Sequence, residues 1–276
     1  MENNHVKLEI PSKQTEISIH FVGDVHLGAS GCDKERFKAK VKEIASDKNA
    51  YWIDMGDDCD CITTDDPRFS MSAYPSNAKL SDFVVENQAK EYIRITKPIA
   101  SQCIGKHLGN HEAKFTKHKN FDVHQYIIEA NNLRSLAYCA LTKLFFIIKG
   151  GTAFTTTIFS HHGAGGATTT AGALNKVEKF IFSHKADIYL MAHTHQLATK
   201  EYPRLGTQET YSEHAKIVER PQILLLTGGY LRTYQQGVTG YGEVKGYQPI
   251  KLGSPKITFN REQHNKIDQY VMRVVA

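Results

Sequence analysis

Cysteine is scarce in this chain. The 276 residues contain five, Cys32, Cys59, Cys61, Cys103 and Cys139. An odd, scattered set argues against a disulfide framework. Cys59-Asp60-Cys61 has no second cysteine pair to complete a metal site, so free thiols, buried or half-exposed, are expected. Long apolar runs are also missing, and none reaches the roughly 20 residues that a helix needs to cross a bilayer. The opening MENNHVKLEI carries neither an apolar signal region nor a small-residue cleavage site. The expectation is a soluble, cytoplasmic protein without a membrane partner. Internal repeats, heptads and low-complexity tracts are lacking as well, which argues against solenoids and coiled coils.

The chain has an ordinary globular balance, 41% hydrophobic and 23% charged, with ample length for a buried core. Its formal net charge is +5. That surplus suits an anionic partner, such as a nucleotide or nucleic acid, and equally a solvated lysine-rich surface. Histidine is more telling: there are 14, and several fall where strands should end.

Residues 15–23 read as a strand and 33–47 as a helix, with Phe37, Val41, Ile44 and Ala45 at helical spacing and Asp33 as N-cap. Residues 50–55 read as a short buried strand. Residues 58–80, rich in Asp, Ser, Thr and Pro, read as a loop of a length that is uncommon without a function. A helix over 81–97 stops before Pro98, and a strand over 101–106 follows. Then come a helix over 121–132, strands over 143–149 and 153–160 paired across Gly150-Gly151, a helix over 175–184 and a strand over 187–192. Strand-like pieces near 222–227, 256–260 and 268–275 close the chain. The order predicts an α/β fold with a central sheet, or two stacked sheets, flanked by helices. It reads as a single domain over 1–276, with the motifs in 24–195 and a β-rich part in 196–276.

The apolar run IHFVGDVHLG ends in Asp24 and His26. Side chains two apart on an extended chain share a face, so these two can aim at one point just past the strand. Alone, the pair is a weak signal. It recurs, however. WIDMGDD places Asp57 after a second strand, LGNHE places Asn110, His111 and Glu112 after a third, TIFSHHGAGG places His161 and His162 after a fourth, and IYLMAHTHQ places His193 and His195 after a fifth. Each has a bland alternative: a turn cap, a left-handed asparagine, a satisfied core histidine. Five such clusters, all polar and all at the end of an apolar run, do not fit the bland alternative. In open α/β sheets, ligand sites lie at the carboxyl ends of strands. Imidazole, carboxylate and amide oxygen together suit Mn, Fe or Zn rather than calcium. Asp24, His26, Asp57, Asn110, one of His161 and His162, His193 and His195 make seven candidates. A tetrahedral zinc takes about four. Seven suit two ions with Asp57 as the natural bridge.

Asp24-x-His26, Gly56-Asp57, Gly109-Asn110-His111-Glu112, His161-His162-Gly163 and His193-x-His195, in that order, resemble the calcineurin-like metallophosphoesterase superfamily. The resemblance implies a four-layer α/β/β/α sandwich holding two divalent ions, manganese first, with Fe, Zn or Ni as alternatives. It implies that Asp24, His26 and His195 hold one ion, that Asn110, His193 and one of the 161/162 pair hold the other, and that Asp57 bridges. His161 is nearer the strand end, which favours it; Gly163 directly after His162 pulls the other way. His111 would serve as a catalytic residue rather than a ligand, protonating the leaving oxygen while hydroxide formed between the ions attacks phosphorus. Glu112 is expected to cap the following helix, and Asp60 to support the ligands from behind.

Two departures narrow the reading. The protein Ser/Thr phosphatases carry Arg before Gly-Asn-His-Glu and in the motif after Gly-Asp; here stand Leu108 and Asp58-Cys59-Asp60-Cys61. Without an arginine there to fork onto a phosphomonoester, a phosphodiesterase or nuclease acting on nucleotide or nucleic acid is expected. A phosphomonoesterase and a silent binding module of the same fold are the alternatives. Three segments could wall the site: His162–Thr170, rich in Gly; Arg68, Phe69 and Tyr74; and Tyr230, Arg232 and Tyr234.

Overall fold

The computed structural model describes residues 1–10, 16–71, 83–148, 154–207, 213–264 and 267–275. In chain order its elements are β1 (Glu2–Ile10), β2 (Ile17–Val22), α1 (Lys34–Ala45), β3 (Ala50–Asp54), α2 (Val84–Thr96), β4 (Cys103–Lys106), α3 (Asn110–His118), α4 (Val123–Asn131), β5 (Cys139–Ile148), β6 (Phe154–His161), α5 (Thr170–Ile181), β7 (Ile188–Met191), β8 (Leu197–Thr207), β9 (Ile217–Thr227), α6 (Tyr241–Val244), β10 (Lys256–His264) and β11 (Ile267–Val275).

Alternation along the strands decides the layers. In β2, Ile17, Ile19 and Phe21 join one core cluster while Val22 joins another. In β3, Ile53 joins the first and Trp52 the second. Successive side chains point to opposite faces, so a strand with both sets apolar is covered on both sides. The strands form a five-stranded sheet, β11-β10-β2-β3-β4, and a six-stranded one, β1-β5-β6-β7-β9-β8. The first cluster lies between the sheets, where Phe21, Ile53 and Phe259 of one meet Leu144, Phe146 and Leu190 of the other. α1, α2 and α4 cover the outer face of the smaller sheet through Phe37, Tyr92 and Ile127. α5 covers the outer face of the larger one through Ala173 and Val177 against Phe159, Tyr189 and Leu224. The result is the four-layer α/β/β/α sandwich.

β2, β3 and β4 run parallel, as do β6, β7 and β9. Each trio therefore ends its strands along one edge, and the polar motifs follow those ends. Several element boundaries differ from expectation. β1, whose Val6, Leu8 and Ile10 alternate, pairs in parallel with β5 and was not anticipated. β8 was missed too; it is largely exposed and shows no apolar alternation. α5 begins at Thr170 rather than 175, because the Thr169 side chain accepts from the Gly172 amide and caps it. Pro98 lies within a 3-10 turn, Lys97–Gln102, that continues from α2. The Gly150-Gly151 turn lies outside the described residues. Among the described residues, no helix is long and apolar enough to cross a membrane.

Phe21 is fully buried between the sheets. Phe21→Ala is expected to cost about 3–5 kcal/mol in urea unfolding, with the far-UV spectrum preserved. Acid sensitivity has a separate source. Burial, reinforced by Lys40, pulls His20 down to about 4, and burial with Lys106 pulls His124 down to about 3. Both lie below the unfolded histidine value of about 6.5, so the unfolded chain takes up protons that the folded one refuses. Their contribution is complete above that pH and is lost as pH falls towards 4 and then 3. The urea midpoint should drop across that window, and His124→Gln should flatten the drop.

Candidate metal centre

Close packing of the strand-end loops sets the site. Asp24 and His26 donate their amides to the carbonyls of Gly56 and Asp57, at 2.9 and 3.0 Å. A Cβ on Gly109 would lie 2.1 Å from the Asp57 amide, and one on Gly56 would lie 2.6 Å from the Gly109 amide. Only glycine lets the second and third motifs approach so closely. The described residues include eight non-glycine positions with positive φ; five of them are Asp24, His26, Asp57, His193 and His195. Each such conformation costs about 1 kcal/mol or more and persists where surrounding structure over-determines it.

Asp24, His26 and His195 form one group of converging ligand atoms, and Asp57, His162 and His193 a second. In the first, the Nε2 atoms of His26 and His195 face each other at 3.1 Å, and His195 Nε2 lies 3.5 Å from Asp24 Oδ1. In the second, His162 Nε2 lies 3.3 Å from Asp57 Oδ2 and 3.1 Å from Asn110 Oδ1. Asp57 Oδ2 is also 4.0 Å from His26 Nε2, so this carboxylate stands between the groups. Its other oxygen accepts the His111 amide at 2.9 Å. His162 Nδ1 donates to the Met55 carbonyl at 2.7 Å, which fixes the tautomer and leaves Nε2 aimed at Asp57 and Asn110. Asp24 Oδ1 and His193 Nδ1 are buried without a hydrogen-bond partner, whereas His26 Nδ1 faces Asp60 Oδ1 at 3.5 Å. Such orphaned acceptors are rare in folded proteins and are what a cation would satisfy. The donor set therefore fits divalent metal.

His161 does not join. Its Nδ1 accepts the Gly163 amide at 2.7 Å, and its ring stacks on Phe180 at 5.4 Å. The lean towards His161 is corrected: its side chain leaves the strand on the α5 face, while His162, one residue on, turns inward. His111 stays out of both groups named above. A third group, His26, Asp60 and His111, also brings ligand atoms together, but both His111 nitrogens are engaged. Nδ1 bonds the Asp60 carbonyl, and Nε2 accepts from Arg68 Nη1 at 2.8 Å.

Electrostatics favour a cation as well. Burial drives the Asp24 carboxyl up to about 7 against the pull of His162. Burial also acts on Asp57, but His162 and His111 outweigh it and hold this carboxyl well below the usual range. His162 is reciprocally pushed up to about 10: burial opposes its charge, and Asp57 overrides burial. A protonated imidazole thus stands in for positive charge the site requires.

Glu112 does not cap α3. Its carboxylate accepts the amides of Asp57, Asp58 and Cys59 at 3.2, 2.7 and 3.2 Å, clamping the loop that carries Asp57. Lys106, fully buried, bonds Asp58 and lies 3.4 Å from Asp54, whose carboxylate also accepts from Tyr92. The sequence reading missed this support, since a lysine in an apolar strand carries no sign of its buried partners. It missed Arg68 as a site residue of this kind too. Arg68 is held by Asp66 through Nε and Nη2, at 3.1 and 2.9 Å, and reaches His111 from the loop after the second motif.

A cleft of about 380 Å³ opens over the groups. Gly165, Gly166 and Thr168 line it, as do Arg68 and Arg232. Tyr230 does not: it is fully buried, its hydroxyl bonded to Ser254. Tyr74 lies outside the described residues. Tyr241 and Tyr247, which the sequence did not single out, line the cleft.

Residues 17–197 match the family model for calcineurin-like phosphoesterase. No curated protein matches the chain. Among solved structures, vacuolar protein sorting 29 from Cryptosporidium parvum is 12% identical at a TM-score of 0.36, with 95% of this chain and 98% of that chain covered. A single mutant of the same protein from Entamoeba histolytica is 13% identical at a TM-score of 0.35, covering 94% of this chain and 100% of that one.

Glu112 touches no ligand atom in either group, yet its clamp sets Asp57. Glu112→Gln is expected to weaken manganese binding by about 10- to 100-fold, read by competition with a chromogenic chelator.

Proposed function

The chain belongs to the calcineurin-like phosphoesterase family, and on that footing we propose that it hydrolyses phosphodiesters of nucleotides or nucleic acid with the help of two divalent metal ions. The observation that carries the reading is the convergence of six ligand side chains into two groups with Asp24 Oδ1 and His193 Nδ1 orphaned among them. Asp24, His26 and His195 would hold one ion, Asn110, His162 and His193 the other, and Asp57 would serve both. Two such ions, manganese by preference, would supply Lewis-acid charge to phosphate oxygens and to the attacking water.

The protein's own residues do the rest. Met55 and the His111 amide hold His162 and Asp57 in their productive orientations. The Asp60 carbonyl accepts a hydrogen bond from His111 Nδ1–H, so Nε2 is the nitrogen presented towards the cleft. Burial, against the opposing pull of Asp57, lowers this ring to about 4, so it is neutral here. An anionic ester beside it favours the protonated form, so Nε2 takes a proton from solvent and passes it to the leaving oxygen. Arg68, anchored by Asp66, donates at the same place and can turn its Nη1 to a phosphate oxygen.

Arg68 supports a second reading. The expectation of a diester rested on missing arginines at two motif positions, and an arginine from elsewhere in the chain now stands beside His111. It suits a phosphomonoester. The size of the cleft supports the diester, since it exceeds what a lone phosphate fills and falls in the range of small-molecule sites, about 300–1,000 Å³.

With manganese, bis-p-nitrophenyl phosphate should be hydrolysed faster than p-nitrophenyl phosphate; the reverse order selects the monoesterase. Hydrolysis of neither, with stoichiometric metal bound, makes the fold a binding module. Asp57→Asn should lose both activity and metal, while His111→Ala should lose activity and keep its metal by elemental analysis. A metal-free His111→Ala would overturn the role given to that residue.

A further inference from the structure

We infer that the segment joining β9 to β10 builds a subsite for a nucleobase at the wall of the cleft. The inference rests on the phosphoesterase reading and names the organic group that its substrate carries. Tyr241 and Tyr247 line the same cavity as His111, Arg68 and Asp57. Their rings meet edge to face, with centroids 6.2 Å apart and an interplanar angle of 81°. Yet they are 46% and 38% exposed. Lys245 Nζ lies over the Tyr241 ring, 5.6 Å from its centroid, and the remaining aromatic surface, Tyr247 above all, is open next to the proposed reaction centre. Gln235 and Gln248 line the cavity beside them, with Leu231 and Ile250 adding apolar surface.

The segment is braced. The Tyr234 hydroxyl donates to the Tyr247 carbonyl at 2.8 Å, and the Tyr247 amide to the Gly242 carbonyl at 2.9 Å. Thr233 Oγ1 donates to the Gln248 carbonyl at 3.3 Å. At its start, the Arg232 amide bonds Gly31 at 2.9 Å and its guanidinium pairs with Asp33 at 2.7 Å. The rings are therefore carried on a backbone tied at several points, which lowers the ordering cost of using them.

The mixture of groups selects the ligand. A planar heteroaromatic ring uses both kinds of surface: it stacks on tyrosine, and its edge exchanges hydrogen bonds with glutamine amides. An alkyl chain would leave the amides unused. Arg232 lines the same wall with its charge balanced by Asp33, so the rings and the amides carry the selection.

Two diesters with one leaving group test this. Thymidine 5′-p-nitrophenyl phosphate and methyl p-nitrophenyl phosphate both release p-nitrophenolate and differ only in the group retained. The manganese-loaded protein should prefer the thymidine ester in kcat/KM. Tyr247→Ala should lower that preference at least about 5-fold, mostly through KM, and Tyr247→Phe should keep it, because the ring rather than the hydroxyl stacks. A wild-type protein indifferent to the two esters, or a preference that survives Tyr247→Ala together with Tyr241→Ala, overturns the subsite while leaving the phosphoesterase reading standing. Calorimetry with thymidine 5′-monophosphate decides the case in which neither ester turns over. Binding that Tyr247→Ala weakens about 5-fold or more supports the subsite without catalysis, and absence of binding overturns it.

Discussion

Charge buried without its counter-charge is the constraint on which this molecule is organised. Asp24 and Asp57 are sealed from water at the edge of two sheets, and imidazoles surround them. Placing carboxylates there costs several kcal/mol each unless something pairs with them. The fold supplies part of the answer through a protonated His162 and the amides of His111 and His193. The orphaned oxygen of Asp24 and the orphaned nitrogen of His193 are groups that a cation would satisfy. Strained backbone at five of the ligand positions points the same way, since strain of this kind is concentrated where geometry serves binding.

Behind the ligands a second buried network balances itself. Lys106 neutralises charge from Asp58 and Asp54, and Glu112 holds the loop between Gly56 and Cys59 by three amides. Burial and the neighbouring Asp54 push Asp58 well above the ordinary carboxyl range, and Lys106 opposes them. The position of Asp57 between the two groups is thus a product of its neighbours, Asp58 on one side and Gly109 packed against it on the other.

The candidate ligands were legible in the sequence because each follows an apolar run: Asp24, His26, Asp57, Asn110, His193 and His195 all fall where a strand ends. The choice between His161 and His162 was not legible, since it depends on which side of the sheet each ring takes as β6 ends, and Phe180 of the following helix takes the ring of His161. Arg68 illustrates the same limit. Its reach into the site follows from Asp66 and from the path of a loop that has no periodicity to read. In the fold, the apolar runs of β2 and β3 announced buried strands, whereas exposed β8 owes its existence to pairing with β9 along its whole length.

The most direct test is anomalous diffraction at the manganese edge from crystals grown with that ion. Two peaks are predicted, one among Asp24, His26 and His195, the other among Asn110, His162 and His193, with Asp57 between them. No peak, or a peak that engages His161 or His111, would contradict the account.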